Sequence, residues 1–178
     1  MAFWQEWARD VEFSFRKQKQ MAEQALAQLD DAAFFRAPAE GSNSVAVIVK
    51  HLAGNLKSRW TDFRTTDGEK PWRDRDNEFV LGPADTRERL LAFWEEGWAA
   101  LFQALGGLTE ADATATVTIR GEAHTVLQAV HRALTHAAYH TGQILYVARL
   151  VRPDGWRWIT VPPGQSREVR ARGGNYLK

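Results

Sequence analysis

No cysteine occurs among the 178 residues. That excludes disulfides, thiolate metal ligands and a cysteine nucleophile supplied by this chain, and it suits a reducing compartment. Long apolar runs are missing as well. Nothing approaches the roughly 18 uncharged residues that a membrane span needs. A charge of one sign is equally lacking: 23 basic side chains face 22 acidic ones, so no overall field draws the chain to nucleic acid or an anionic membrane. Nor does any helix-length stretch interleave basic and aromatic residues as a nucleic-acid-binding face would. The opening residues carry Glu6 and Arg9 among aromatics, without the basic start and apolar run of a secretory signal. The expectation is a cytoplasmic protein that acts on a small molecule, with neither nucleic acid nor membrane as partner.

Proline is sparse, six in all, and avoids four stretches of helical periodicity. In residues 4–29, Trp4, Trp7, Val11, Phe15, Ala22, Ala25 and Leu29 recur at three- and four-residue steps. A second stretch follows Ser42-Asn43-Ser44, a cluster of good N-cap residues, and places Val45, Ile48, Val49, Leu52, Leu56, Trp60 and Phe63 on one side. The third starts after Gly82-Pro83, carries the stripe Leu90, Trp94, Trp98, Leu101 and Leu105, and stops at Gly106-Gly107. The fourth covers residues 126–151, with Val130, Ala133, Ala137, Ile144 and Ala148 facing inward. Four long amphipathic helices predict an all-α four-helix bundle over residues 1–155. Between the last two helices, residues 114–119 alternate as a strand and turn back at Arg120-Gly121, predicting a small β-hairpin. The loop 65–81 is long and polar, with Trp72 and Phe79 as its expected anchors. Residues 156–178 are expected to form a non-helical tail, packed on the bundle or on a partner subunit.

His136 and His140 lie four apart, one turn above each other at the edge of the fourth helix's apolar stripe. Two such imidazoles can share one metal ion. The intervening Ala137-Ala138-Tyr139 lacks the glutamate of the zinc-peptidase helix motif, so that chemistry is excluded. A histidine at the rim of an apolar face is more often a hydrogen-bonded structural residue, so the pair alone leaves ligation and a structural role both open. The best third ligand is His51, at the edge of its own helix's stripe and one turn before Asn55. His131 points away around the helix, and His124 falls in the hairpin; both are expected as surface or capping residues. An ion held by three neutral imidazoles keeps a position open, which reads as a catalytic site. Imidazole suits several divalent transition metals alike.

The segment Ser44-Val-Ala-Val-Ile-Val-Lys-His51-Leu-Ala-Gly-Asn55, the loop with Asp67-Gly68 and Arg73-Asp-Arg-Asp76, and the element His136-Ala-Ala-Tyr-His140-Thr-Gly-Gln143-Ile together resemble the DinB-like/YfiT-like superfamily. The resemblance covers nearly the whole chain. It implies a bundle of up-down-down-up topology with a metal, commonly zinc or nickel, on His51, His136 and His140. It also implies a homodimer. Members with known activities include thiol S-transferases and an isomerase that use bacillithiol, mycothiol or glutathione, and others are metal-dependent hydrolases.

Three functions follow as expectations. The first is a metal-dependent thiol S-transferase, which must borrow a low-molecular-weight thiol because the chain has none. Arg59, Arg64, Arg73 and Arg75 are the candidates for holding its acidic end. The second is a hydrolase using metal-bound water; its base would have to come from loop acids such as Asp67, Asp74 or Asp76, since the histidine faces offer only Asn55, Tyr139 and Gln143. The third is a non-enzymatic, metal-stabilised protein that binds a small molecule under stress.

Overall fold

The computed structural model describes residues 3–152 and 154–172 and is mostly helical. The first periodic stretch becomes α1 (Phe3–Leu26), which buries Val11, Phe15, Ala22, Ala25 and Leu26. It ends one turn earlier than its pattern suggests. Asp30 then caps a separate short helix, α2 (Asp31–Phe35), by accepting from Ala33 N at 2.8 Å.

Ser44 caps α3 (Val45–Trp60), its hydroxyl accepting from Val47 N. Of its sixteen residues only Lys50 and Lys57 escape full burial, so α3 is central to the molecule. It packs against α4 (Arg87–Gly106), capped by Thr86, and against α5 (Val126–Val151). Gly97 of α4 sets the closeness of the first contact, because a Cβ there would lie 2.7 Å from the carbonyl oxygen of Ala53. The helix α1 packs along α5 and also touches α4. A single core joins them, with Phe15, Leu52, Leu56, Trp94, Trp98, Val130 and Ile144 essentially inaccessible.

The small antiparallel hairpin precedes the last long helix, as its alternation predicts. β1 (Thr116–Ile119) pairs with β2 (Glu122–Thr125), with Thr116 opposite Thr125 and Ile119 opposite Glu122. Arg120 and Gly121 make the two-residue turn, both with positive φ (55° and 75°), as a turn matched to strand twist requires. Thr125 and Gln128 then form a capping box that starts α5.

The tail departs from expectation in one respect: it is not wholly non-helical, since Ser166–Ala171 form a short helix, α6. Its sequence, Ser-Arg-Glu-Val-Arg-Ala, is rich in good helix formers once past Pro163. Upstream of it, Gln28 holds the backbone of Arg157 from both sides (2.8 and 3.0 Å), and Trp156 and Ile159 pack against the core. Residues 173–178 lie outside the described region. Among the described residues, no helix is long and apolar enough to cross a membrane.

Candidate metal centre

Helical spacing brings His136 and His140 together on α5, and the packing of α3 against α5 brings His51 to them. The ring centroids lie 4.5 Å apart for His136–His140, 4.8 Å for His51–His140 and 5.5 Å for His51–His136. One ligand nitrogen from each lies within 4.8 Å of the others. His51 and His140 are buried, and His136 is partly so. His124 and His131 stand outside the cluster: His124 bonds the carbonyl of Glu122, and His131 is exposed.

Neighbouring side chains decide which nitrogen each ring presents. Nδ1 of His51 lies 2.8 Å from Oε2 of Glu78. An ionised carboxylate only accepts, so Nδ1 carries the proton and Nε2 keeps a free lone pair. In the same way the side-chain oxygen of Gln143 lies 2.7 Å from Nδ1 of His140, which leaves Nε2 of His140 free. That Nε2 is buried and has no hydrogen-bond partner among the described residues, and neither has Nδ1 of His136. Buried polar atoms are rarely left unsatisfied. Two orphaned imidazole nitrogens in a cluster of three histidines fit a metal ion, as does the support of such rings by a carboxylate and an amide.

The imidazoles of His136 and His140 are also held neutral, as ligands must be. Burial, then the neighbouring His140 and His51, pushes His136 down to about 3. Burial and His51 take His140 to about 4. An unfolded histidine titrates near 6.5, so below that pH the unfolded chain binds more protons than the folded one and stability falls with acid. The expected result is that the melting temperature of metal-free protein declines as pH drops from about 6.5 toward 4. A double His136→Gln, His140→Gln variant should lose much of that dependence. A flat profile in the native protein would contradict buried neutral rings.

Glu78 is the residue the sequence did not single out. It sits in a short 3-10 helix (Asp76–Phe79) within the polar loop. Phe79 beside it lies over His51, with ring centroids 4.8 Å apart, and so anchors the loop as expected. Trp72 does not: it is half exposed, near Lys57. Arg73 grips Glu78 through both oxygens at 2.7 and 2.9 Å. Burial works to raise the Glu78 carboxyl, but the hydrogen bonds from His51 and Arg73 outweigh it and hold the group below the usual carboxylate range. Gly54, one turn after His51, makes room for this carboxylate, because a Cβ there would overlap Oε1 of Glu78. The loop therefore closes on the site within its own chain.

A cavity of about 450 Å³ opens beside His51 and His136. Asn55, Thr135 and Tyr139 line it together with Arg59, Arg75, Arg120 and Arg132. Of the expected arginines, Arg59 and Arg75 thus reach the cavity. Arg73 does not, since it is spent on Glu78, and Arg64 bonds Gly107 and Asp112 elsewhere. Arg120 and Arg132 were not anticipated; only the hairpin's docking and the face of α5 bring them there. The loop acids do not line the cavity either. Asp67 accepts from the backbone N–H groups of Glu69, Arg120 and Gly121. Asp74 caps Asn77, and Asp76 projects into solvent.

No curated protein matches this chain. A solved structure described as the crystal structure of the conserved protein of locus from Enterococcus faecalis superposes with a TM-score of 0.61 over 86% of this chain and 99% of that one. The two are 20% identical, so the likeness concerns the fold alone. The family described as "Protein of unknown function (DUF1572)" matches residues 2–165, nearly the whole length, and the chain belongs to that family.

Proposed function

We propose that this protein is a metal-dependent thiol S-transferase of the DinB-like/YfiT-like kind, its four long helices forming an up-down-down-up bundle around one zinc or nickel ion on His51, His136 and His140. The observation that carries the metal is the pair of buried, unpartnered nitrogens on His136 and His140 within a cluster of three histidines whose ligand atoms lie within 4.8 Å of one another. A divalent ion bound there would acidify a coordinated thiol or water.

The chain's own residues have definable parts in this scheme. Glu78 and Gln143 keep the Nδ1 protons of His51 and His140 in place, so both Nε2 atoms keep a free lone pair. Asn55, Thr135 and Tyr139 offer neutral hydrogen-bonding groups along the cavity wall, where they can orient a substrate. The thiol proton passes to solvent, sulfur forms the new bond to an electrophilic carbon, and the leaving group departs with its electron pair. Hydrolysis ranks second, because no carboxylate lines the cavity to act as base for an attacking water. The homodimer belongs to the same proposal. Exposed Tyr146, Leu150 and Trp158 are apolar side chains it would cover, and sedimentation at twice the chain mass is the expected result.

The deciding experiment assays metal-loaded protein with a chromogenic electrophile and each of bacillithiol, mycothiol and glutathione. Turnover with one thiol, absent from His140→Ala, is expected. Turnover with none, while the metal only raises the melting temperature, would favour the non-enzymatic binding protein.

A further inference from the structure

Arg59 is an anomaly in this fold. It extends from α3 with 7% of its surface accessible, and its Nη1 is fully buried with no hydrogen-bond partner among the described residues. A guanidinium carries five donors and a permanent charge, and leaving one buried without an acceptor is costly. The surroundings increase that cost. Burial, then Arg132 and Arg73, pulls Arg59 down to about 10. The chain nevertheless makes space for it: at Gly68, a Cβ would lie 2.9 Å from Cδ of Arg59.

Arg59 shares the cavity with Arg75, Arg120 and Arg132, and no acidic side chain lines it. The nearby carboxylates are already engaged. Glu78 is held by Arg73 and His51, and Glu69 by Arg73 and Arg120. The Arg132 side chain makes no ion pair or hydrogen bond among the described residues, and Arg75, which lies over the Phe79 ring, has only the solvent-exposed Asp76 at 3.7 Å as a carboxylate partner. Exposed arginines can satisfy themselves with water, whereas the Arg59 guanidinium is more than nine-tenths buried at the cavity wall and lacks a full set of acceptors among the described residues. A planar fork of donors in a concave, cationic site matches a carboxylate or phosphate group, and the cavity falls in the size range of small-molecule sites.

We infer that the cavity beside the three histidines is an oxyanion site, in which Arg59 and Arg132 hold the carboxylate or phosphate group of an acidic small molecule while Arg75 and Arg120 flank it. The assignment deepens the reading of this cavity as the substrate site, but it rests on the arginines rather than on the metal. The ligand is thus an anion of at least one and, since Arg59 and Arg132 have no ion pair among the described residues and Arg75 has only exposed Asp76, more suitably two charges.

The test is calorimetric titration of inorganic phosphate and of succinate into metal-loaded and chelator-stripped protein, with ionic strength held constant by chloride. Saturable binding of one or both is expected in the stripped protein. Arg59→Gln and Arg132→Gln should each weaken it about tenfold or more, and Arg64→Gln, outside the cavity, should not. Arg132 is exposed, so its variant stays informative if Arg59→Gln fails to fold. Preference for phosphate or for succinate would identify the oxyanion, and either supports the site. Binding only to metal-loaded protein, unchanged in both arginine variants, would overturn it by making the anion a metal ligand. No saturable binding of either probe would overturn it outright. Binding that requires Arg132 in protein that never takes up metal would leave the site standing and remove the metal reading instead.

Discussion

Alanine at His140 is expected to take bound zinc or nickel from about one ion per chain to almost none, as measured by plasma mass spectrometry on protein purified without chelator. His140 supplies a free nitrogen that is wholly buried, its Nε2. Removing it leaves His51 and His136, whose rings are the most widely separated pair at 5.5 Å. A two-imidazole remnant of that span is expected to lose at least two orders of magnitude in affinity, about 3 kcal/mol. His51→Ala should behave alike, whereas His124→Ala and His131→Ala should retain the ion. A thermal readout runs in parallel. Metal at roughly a thousandfold over its dissociation constant adds about 4 kcal/mol of stability. For a chain of this size that corresponds to a rise of about 8–16 °C in Tm. Native protein that refuses added zinc and nickel would make the three histidines structural and would remove the chemistry from the proposed function.

Glu78→Ala is the second large effect, and it acts on both fold and site. The substitution leaves Arg73, whose side chain is only 2% exposed, with Glu69 at 3.4 Å as its remaining carboxylate partner. It also strips His51 of the group that fixes its Nδ1 proton. Removing one member of a buried ion pair costs about 3–5 kcal/mol, a fall of roughly 6–20 °C in Tm. Loss of the carboxylate behind a ligating histidine costs a further 10- to 100-fold in metal affinity. Gly54→Ala should reproduce a milder form of the same lesion. On helix propensity alone, alanine would add about 1 kcal/mol of stability. Here its Cβ displaces the Glu78 carboxylate, so the sign reverses. Wild-type metal affinity and an unchanged Tm in Glu78→Ala would show that the contact with His51 is incidental.

The histidine triad and the long helices were legible in the sequence because the signals that carry them are local. The i, i+4 spacing of His136 and His140 fixes their common face wherever α5 lies. Ser44, Gly107 and the Thr125–Gln128 pair mark helix ends through bonds reaching only about three residues. The third histidine needed more. The position of His51 on the rim of its helix suggested it, and the resemblance of the flanking segments singled it out.

The polar loop and the cavity's charge were decided only by tertiary contacts. Asp67 was weighed as a catalytic base, yet it binds the backbone of the Arg120–Gly121 turn, more than fifty residues away. Ser58 accepts from Lys70 N and donates to the Gly68 carbonyl, which ties the loop to α3. Those bonds swing Glu78, rather than any of the acids weighed as bases, onto His51. They also carry Arg120 to the cavity, while the face of α5 brings Arg132. None of these residues recurs at a period that marks it in the chain. A helix is written in spacings that repeat every turn, but a loop's course depends on unique partners far along the sequence. The sequence thus determined the helices and the histidines they present. Only the folded structure decided which carboxylate supports them and which arginines face the cavity beside them.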